Sequence, residues 1–244
     1  MREELYTIPV NEALEQEGEC LFCTLNKKLE SDILNYILGP SYMEEDIRGE
    51  TDKLGFCKKH YTQMYGQQNR LGVALMVDTH LKHVRGELKK LLDAEIAKKP
   101  VKKSLFKKAE EGESPLEDYL TGVEESCYAC NRMNARMKSY VDTFFHLWKR
   151  EPEFKDKIKN SKGFCLEHFN MIIKEGKKRL DGAKYKELLD VIAPLQLKQL
   201  DTLQEDVDWF IQKFDYRFQD EPWKNSKDAL PRAILRLAAL ELEE

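Results

Sequence analysis

The chain has 244 residues, of which 34% are charged and 41% hydrophobic, and a formal net charge of −4. That length buries a sizeable core, as one large domain or two small ones. The acidic balance gives no global attraction to nucleic acid, no apolar run is long enough to span a bilayer, and the start Met-Arg-Glu-Glu-Leu lacks the apolar stretch of a secretion signal.

Apolar residues recur at helical spacing, and only 12 glycines and 8 prolines interrupt them, so the expected class is all-α. Residues 1–10 read as a lead-in ending at Pro9. Asn11 is placed to cap a brief helix, 12–17, that delivers the chain to Cys20-Leu-Phe-Cys23. Leu25, Leu29, Ile33 and Ile37 step by four along the next helix, which Gly39-Pro40 stops. The acidic stretch 41–53 reads as turns with a short helix around 43–47. Gly55-Phe56-Cys57-Lys-Lys-His60 then opens another helix. Val77, Leu81, Val84, Leu88 and Leu91 form the stripe of a longer one. His80 sits on that stripe beside Leu81 with no partner motif, so it reads as a hydrogen-bonded core or boundary histidine rather than a ligand or acid/base group. His83 falls off the stripe and reads as solvated.

Residues 98–113 break the pattern. Lys98, Lys99, Lys102, Lys103, Lys107 and Lys108 surround Pro100, and Glu110 and Glu111 follow. With no aromatics interleaved for base stacking, this reads as a solvated linker rather than a nucleic-acid site. The plan then repeats. Pro115 and a helical 116–123 lead to Cys127-Tyr-Ala-Cys130. An aromatic helix follows with Met133, Met137, Val141, Phe144, Phe145 and Trp148, and His146 reads as part of its packing. After an irregular 151–162 comes Gly163-Phe164-Cys165-Leu-Glu-His168. A long helix is expected over 189–214, kinked at Pro194, with a stripe of Leu200, Leu203, Val207, Phe210 and Phe214.

All six cysteines and two of the five histidines thus fall in two matching sets. Each set offers three thiolates and an imidazole, a complete tetrahedral donor set. Taken in chain order, Cys20, Cys23, Cys57 and His60 form the first site and Cys127, Cys130, Cys165 and His168 the second. Scattered core thiols would not sort themselves this way, and disulfides do not suit a chain without a secretion signal. Haem attachment is excluded, because Thr24 and Asn131 stand where CxxCH needs histidine. A thioredoxin-like motif lacks its βαβ setting. Zinc, two per chain, is the expected metal; an iron–sulfur cluster is the alternative.

The near-equal offset between the sets implies an internal duplication with a period of about a hundred residues. Two pseudo-symmetric helical halves are expected, 1–97 and 114–244, each stapled by its own Cys₃His site and joined by the linker 98–113. The tail breaks the symmetry with Trp209, Tyr216, Arg217, Trp223, Asp228 and Arg232. These residues fit either a pocket in which an arginine meets an anion or, more simply, a lock that seats the last helix. Asp228 is placed to cap that helix and to pair with Arg232 at i,i+4.

Ile8-Pro9-Val10-Asn11-Glu12-Ala13 before the CxxC, the GFCxxH motifs, Asn69-Arg70-Leu71-Gly72, Phe214-Asp-Tyr-Arg217 and Glu221-Pro-Trp223 together resemble a bacterial family of unknown function. The resemblance covers essentially the whole chain. Members often carry the automatic label "ABC transporter substrate-binding protein", to which this sequence adds no signal peptide, no lipid-anchor cysteine and no α/β pattern. Lys224 stands where that family usually has glycine. The resemblance implies no particular activity. No Ser/His/Asp arrangement, paired catalytic carboxylates or phosphate-binding glycine loop is present. The expected protein is a cytoplasmic, non-enzymatic zinc scaffold that presents a surface to a protein partner of unknown identity. A redox or sensor protein with iron–sulfur clusters and an enzyme or ligand binder built on the C-terminal cluster are the alternatives.

Overall fold

The computed structural model describes residues 2–16, 18–98 and 114–242, without the side chains of 2–5. These residues form eleven α-helices and no strand, which is the all-α class read from the sequence. Among them no helix is long and apolar enough to cross a membrane. Apart from Lys98, the lysine-rich linker lies outside the described residues.

The chain divides into two compact units, one built from both ends of the chain and the other from its middle. One comprises 1–28 with 136–244; the other is 29–135. The division therefore differs from the boundaries 1–97 and 114–244 expected above. It falls inside two helices, α2 (Leu21–Leu38) and α7 (Tyr128–Arg150).

In the 29–135 unit, a 3-10 turn at Pro40–Met43 follows α2. Then come α3 (Glu45–Leu54), α4 (Lys58–Gly66), α5 (Arg70–Ile96) and α6 (Pro115–Glu125). Asn69 explains the Asn-Arg-Leu-Gly motif. Its side chain accepts from Gly72 N at 2.8 Å to cap α5 and donates to Leu38 O at 2.6 Å. A Cβ at Gly72 would stand 2.7 Å from that amide, so only glycine leaves the cap room. The core joins Leu34, Ile37, Ile47, Phe56, Met64, Val73 and Met76 to Cys127 and Tyr128. Helix α5 buries Val73 and Met76 at its start, whereas of the expected stripe Val77 is part-buried and Leu81 is 61% exposed. Ser114 and Glu117 close a capping box on α6.

In the other unit, α1 runs Arg2–Glu15 straight through Pro9. Asn11 is inside this helix, not at its start; its amide donates to Thr7 O one turn back, at 3.1 Å. The stretch expected to be irregular after α7 contains α8 (Pro152–Lys159), with proline at its first position, where no amide hydrogen is needed. Then come α9 (Leu166–Arg179), α10 (Gly182–Gln212), a 3-10 turn at Tyr216–Phe218 and α11 (Ala229–Ala238). Asp181 caps α10, which starts earlier than its apolar stripe suggested and continues through Pro194. Phe22, Phe144, Phe154 and Phe164 pack their rings into one core.

Candidate metal centres

Each donor comes from a helix start. Cys20 and Cys127 immediately precede α2 and α7, and Cys23 and Cys130 occupy their first turns. Cys57 and Cys165 are the N-caps of α4 and α9, with His60 and His168 three residues on. The glycine of each GFC motif has positive φ, +56° at Gly55 and +80° at Gly163, a conformation that L side chains rarely adopt. Gly55 is also crowded: a Cβ there would stand 2.4 Å from His80 Nε2. His80 is held by Asp52 O, 2.7 Å from its Nδ1, as a boundary histidine.

The eight residues form two groups, but not the pairs expected from chain order. Cys20 and Cys23 meet Cys165 and His168; Cys57 and His60 meet Cys127 and Cys130. Each CxxC thus joins the GFCxxH of the other motif set. The expected site of Cys20, Cys23, Cys57 and His60 does not exist, and neither does its counterpart. The physical reason lies in how the units assemble: residues 1–28 fold with 136–244, which brings the first and last motifs into one unit and the middle two into the other. In the middle unit, Tyr128 N donates to Gly55 O at 3.0 Å and Ser126 Oγ to Leu54 O at 2.7 Å, so the two inner motifs are joined beside their cysteines.

In the outer group, His168 Nδ1 lies 3.1, 3.4 and 3.5 Å from the sulfurs of Cys165, Cys23 and Cys20, and Cys23 lies 3.6 Å from Cys165. In the inner group, His60 Nδ1 lies 3.2, 3.2 and 3.5 Å from Cys57, Cys127 and Cys130, and Cys57 lies 3.8 Å from Cys130. A tetrahedron with metal–sulfur bonds of about 2.3 Å and a metal–nitrogen bond of about 2.0–2.1 Å has edges of about 3.8 and 3.6 Å. The donors therefore fit the corners of one tetrahedron in each group.

The electrostatics fit a cation as well. Cys20 is pulled down to about 3: burial opposes ionisation, but hydrogen bonds from Cys165 and Cys23 outweigh it. Cys23 is pushed up by its hydrogen bonds to Cys165 and Cys20 and by burial. Cys130 is pushed up to about 12, by burial first and then by Cys127 and Cys57. Sulfurs this close cannot all ionise without a positive charge, and a bound divalent cation would let them. Burial lowers the pKa of His60, favouring the neutral imidazole that ligates metals.

Behind the histidines the two groups differ. His60 Nε2 meets Glu30 Oε1 at 3.1 Å, and that carboxylate also takes Lys59 Nζ at 2.5 Å and Gln63 Nε2 at 3.1 Å. Burial would raise the Glu30 carboxyl, but Lys59 and Gln63 outweigh it and hold it below the ordinary value. A carboxylate behind a metal-bound histidine fixes its tautomer and its ring.

The outer group is framed instead by Arg236 of α11, only 1% exposed. Its guanidinium donates to Phe164 O at 2.9 Å and Lys162 O at 2.5 Å and pairs with Glu19 at 2.9 Å, so it ties the residues beside Cys165 to the residue before Cys20. Gln196 adds two bonds to the Phe164 backbone, at 3.3 and 2.9 Å.

Sequence reading missed Glu30, Gln196 and Arg236. For Arg236 a signal existed: it shares a helix face with Ala229, whose small side chain marks the packed side, while Leu230 and Leu237 are 49% and 64% exposed.

The family model for a family of unknown function (DUF6062) matches residues 1–243. The chain belongs to that family. No curated protein and no solved structure matches it. The tail motifs that suggested a family resemblance enclose Lys213, 6% exposed. Its ammonium donates to the carbonyls of Phe218, Gln219 and Glu221 at 2.7, 2.6 and 2.5 Å. Trp209 Nε1 donates to Pro222 O at 3.0 Å, and Trp223 packs on Phe210. Arg217 pairs with Asp215 at the exposed surface, and Tyr216 is 80% exposed. Of the six tail residues, Asp228 and Arg232 line a common cleft of about 480 Å3. Arg232 is engaged there by Asp206 and Asp228, both at 3.0 Å. Asp228 occupies the N-cap of α11 without a side-chain capping bond, its carboxylate pairing with Arg232 instead. Lys224 has φ +53°, so the position where the family usually has glycine is a left-handed one. His146, expected to pack, is part-exposed, with Nε2 3.5 Å from Arg150.

Proposed function

We propose that this chain is a non-enzymatic helical scaffold holding two structural zinc ions, one in each crossed Cys₃His group, and presenting its surface to a protein partner. The observation that carries the reading is the spacing of the donors. Nitrogen–sulfur separations of 3.1–3.5 Å, a sulfur–sulfur contact of 3.6 or 3.8 Å in each group, and all four donor atoms within 4.8 Å of one another suit ligands that share a single ion. They favour one ion over an iron–sulfur cluster, whose ligands bind different irons and stand further apart. Four protein donors fill a tetrahedral ion's coordination and leave no position for a substrate, which supports a structural role. All six cysteines are free thiols, in keeping with a reducing, cytoplasmic setting. The matched motifs support an origin by internal duplication, with the halves exchanging their CxxC helices.

Elemental analysis and an absorbance spectrum of protein purified without oxygen test the reading. Two zinc per chain, no visible absorbance, and loss of helicity on chelation are expected. Iron with sulfide and a visible band would replace the scaffold with a redox protein. A folded chain holding neither metal would overturn both.

A further inference from the structure

We infer that the inner metal group is an oxidative modification site, at which a hydroperoxide couples Cys57 to Cys130 and the metal is lost while the outer group keeps its own. The inference rests on the zinc reading above. Its physical basis is a difference in access. In the outer group Cys20 and Cys165 are 1% and 0% exposed and only Cys23 is part-exposed. An oxidant that reaches Cys23 finds both neighbouring sulfurs shielded, with Phe22 and Phe164 packed on each other beside them. In the inner group Cys57 and Cys130 are both part-exposed, whereas Cys127 and His60 are 2% and 1% exposed. The two accessible sulfurs are also neighbours, 3.8 Å apart. Closing that gap to a bond of about 2.05 Å asks little of Cys57, which precedes its helix as the N-cap.

The chemistry balances with the peroxide as the oxidant. The Cys57 thiolate attacks one peroxide oxygen, forming the sulfenic acid and releasing hydroxide or alkoxide. The Cys130 thiolate then attacks the Cys57 sulfur, forming the disulfide and displacing the second oxygen as hydroxide. Two thiolates supply two electrons, two protons are taken up, and hydrogen peroxide leaves as two waters. The metal changes no oxidation state. Cys127 and His60 remain, two donors where four are needed to hold it.

The test uses the full-length chain after its zinc content has been measured. Protein carrying two zinc ions is treated with a small molar excess of hydrogen peroxide beside a chromogenic chelator and then digested without reduction for peptide mass analysis. The expected result is loss of one zinc of the two, with Cys57 and Cys130 linked and Cys20, Cys23 and Cys165 unmodified. Retention of both ions, loss of the outer ion first or of both together, or a disulfide between Cys127 and Cys130 would overturn the inference while leaving the zinc reading intact. A chain that contains no zinc before peroxide is added overturns the zinc reading and this site with it. No substitution is needed, so no outcome depends on whether a variant folds.

Discussion

The inner and outer groups have the same donors in nearly the same geometry, and the protein around them works differently. The inner group is supported at its histidine, where Glu30, Lys59 and Gln63 form a polar chain behind His60. The outer group is supported at its backbone, where Arg236 and Gln196 hold the loop that carries Cys165. One support acts on the imidazole and tunes a ligand. The other fixes the position of a chain segment and makes the last helix part of the site. The difference teaches that a motif occurring twice in a chain need not bring the same surroundings with it.

The comparison breaks most visibly at Arg236. Arg236→Ala leaves Glu19 without this partner and uncouples two carbonyls of the loop from α11, an expected cost of about 3 kcal/mol in denaturant unfolding. The outer zinc should yield to a competing chelator sooner and the inner one unchanged. Equal loosening of both would mean that Arg236 supports the fold at large.

Gly55→Ala and Gly163→Ala separate the two loops. Both force an L side chain into positive φ, at about 1–2 kcal/mol each. Gly55→Ala should cost about 1 kcal/mol more, because the His80 ring must give way and with it the bond to Asp52 O, whereas the nearest atom to a Cβ at Gly163 is 3.4 Å away. Adding His80→Ala should remove that excess in a double-mutant cycle; simple additivity would contradict the clash.

Glu30→Gln tests the support behind His60. The inner site should lose about 10–100-fold in zinc affinity by chelator competition, with the outer site as the internal control. An unchanged inner affinity would make Glu30 a surface ion pair with Lys59. The smallest effect belongs to Lys224→Gly. It relieves a left-handed residue, worth about 1 kcal/mol, and removes an ammonium 3.6 Å above the Trp209 ring, worth about 0.5–1 kcal/mol. The two nearly cancel, so thermal unfolding should hardly move.

Most of the helices and all eight candidate donors were legible in the sequence, because 3.6-residue periodicity and repeated spacing are local signals; α8, with few apolar residues to mark it, was not. The pairing of the donors was not. Cys23 meets Cys165 across 142 residues and Cys57 meets Cys130 across 73, and nothing local says which ends come together. Arg236, Lys213 and Glu30 were missed for a related reason. A charged residue on a helix normally marks the solvated face, and these three are buried or part-buried by partners that only the assembled unit provides. Phe214 shows the converse: it continues an apolar stripe in sequence and is 72% exposed, while its neighbour Lys213 is buried.

The crossed pairing sets a problem for biosynthesis. A growing chain displays Cys20, Cys23, Cys57 and His60 before the motifs that complete their native groups have been made. Those four are themselves a complete donor set. At about 5–20 residues per second, roughly 3–13 seconds pass between His60 and Cys127. On the zinc reading proposed above, an ion captured in that interval would have to be surrendered ligand by ligand as each later motif appears. Metal delivered after synthesis meets all eight donors at once, so the timing of metal supply decides whether the chain starts from the wrong pairing or goes directly to the right one.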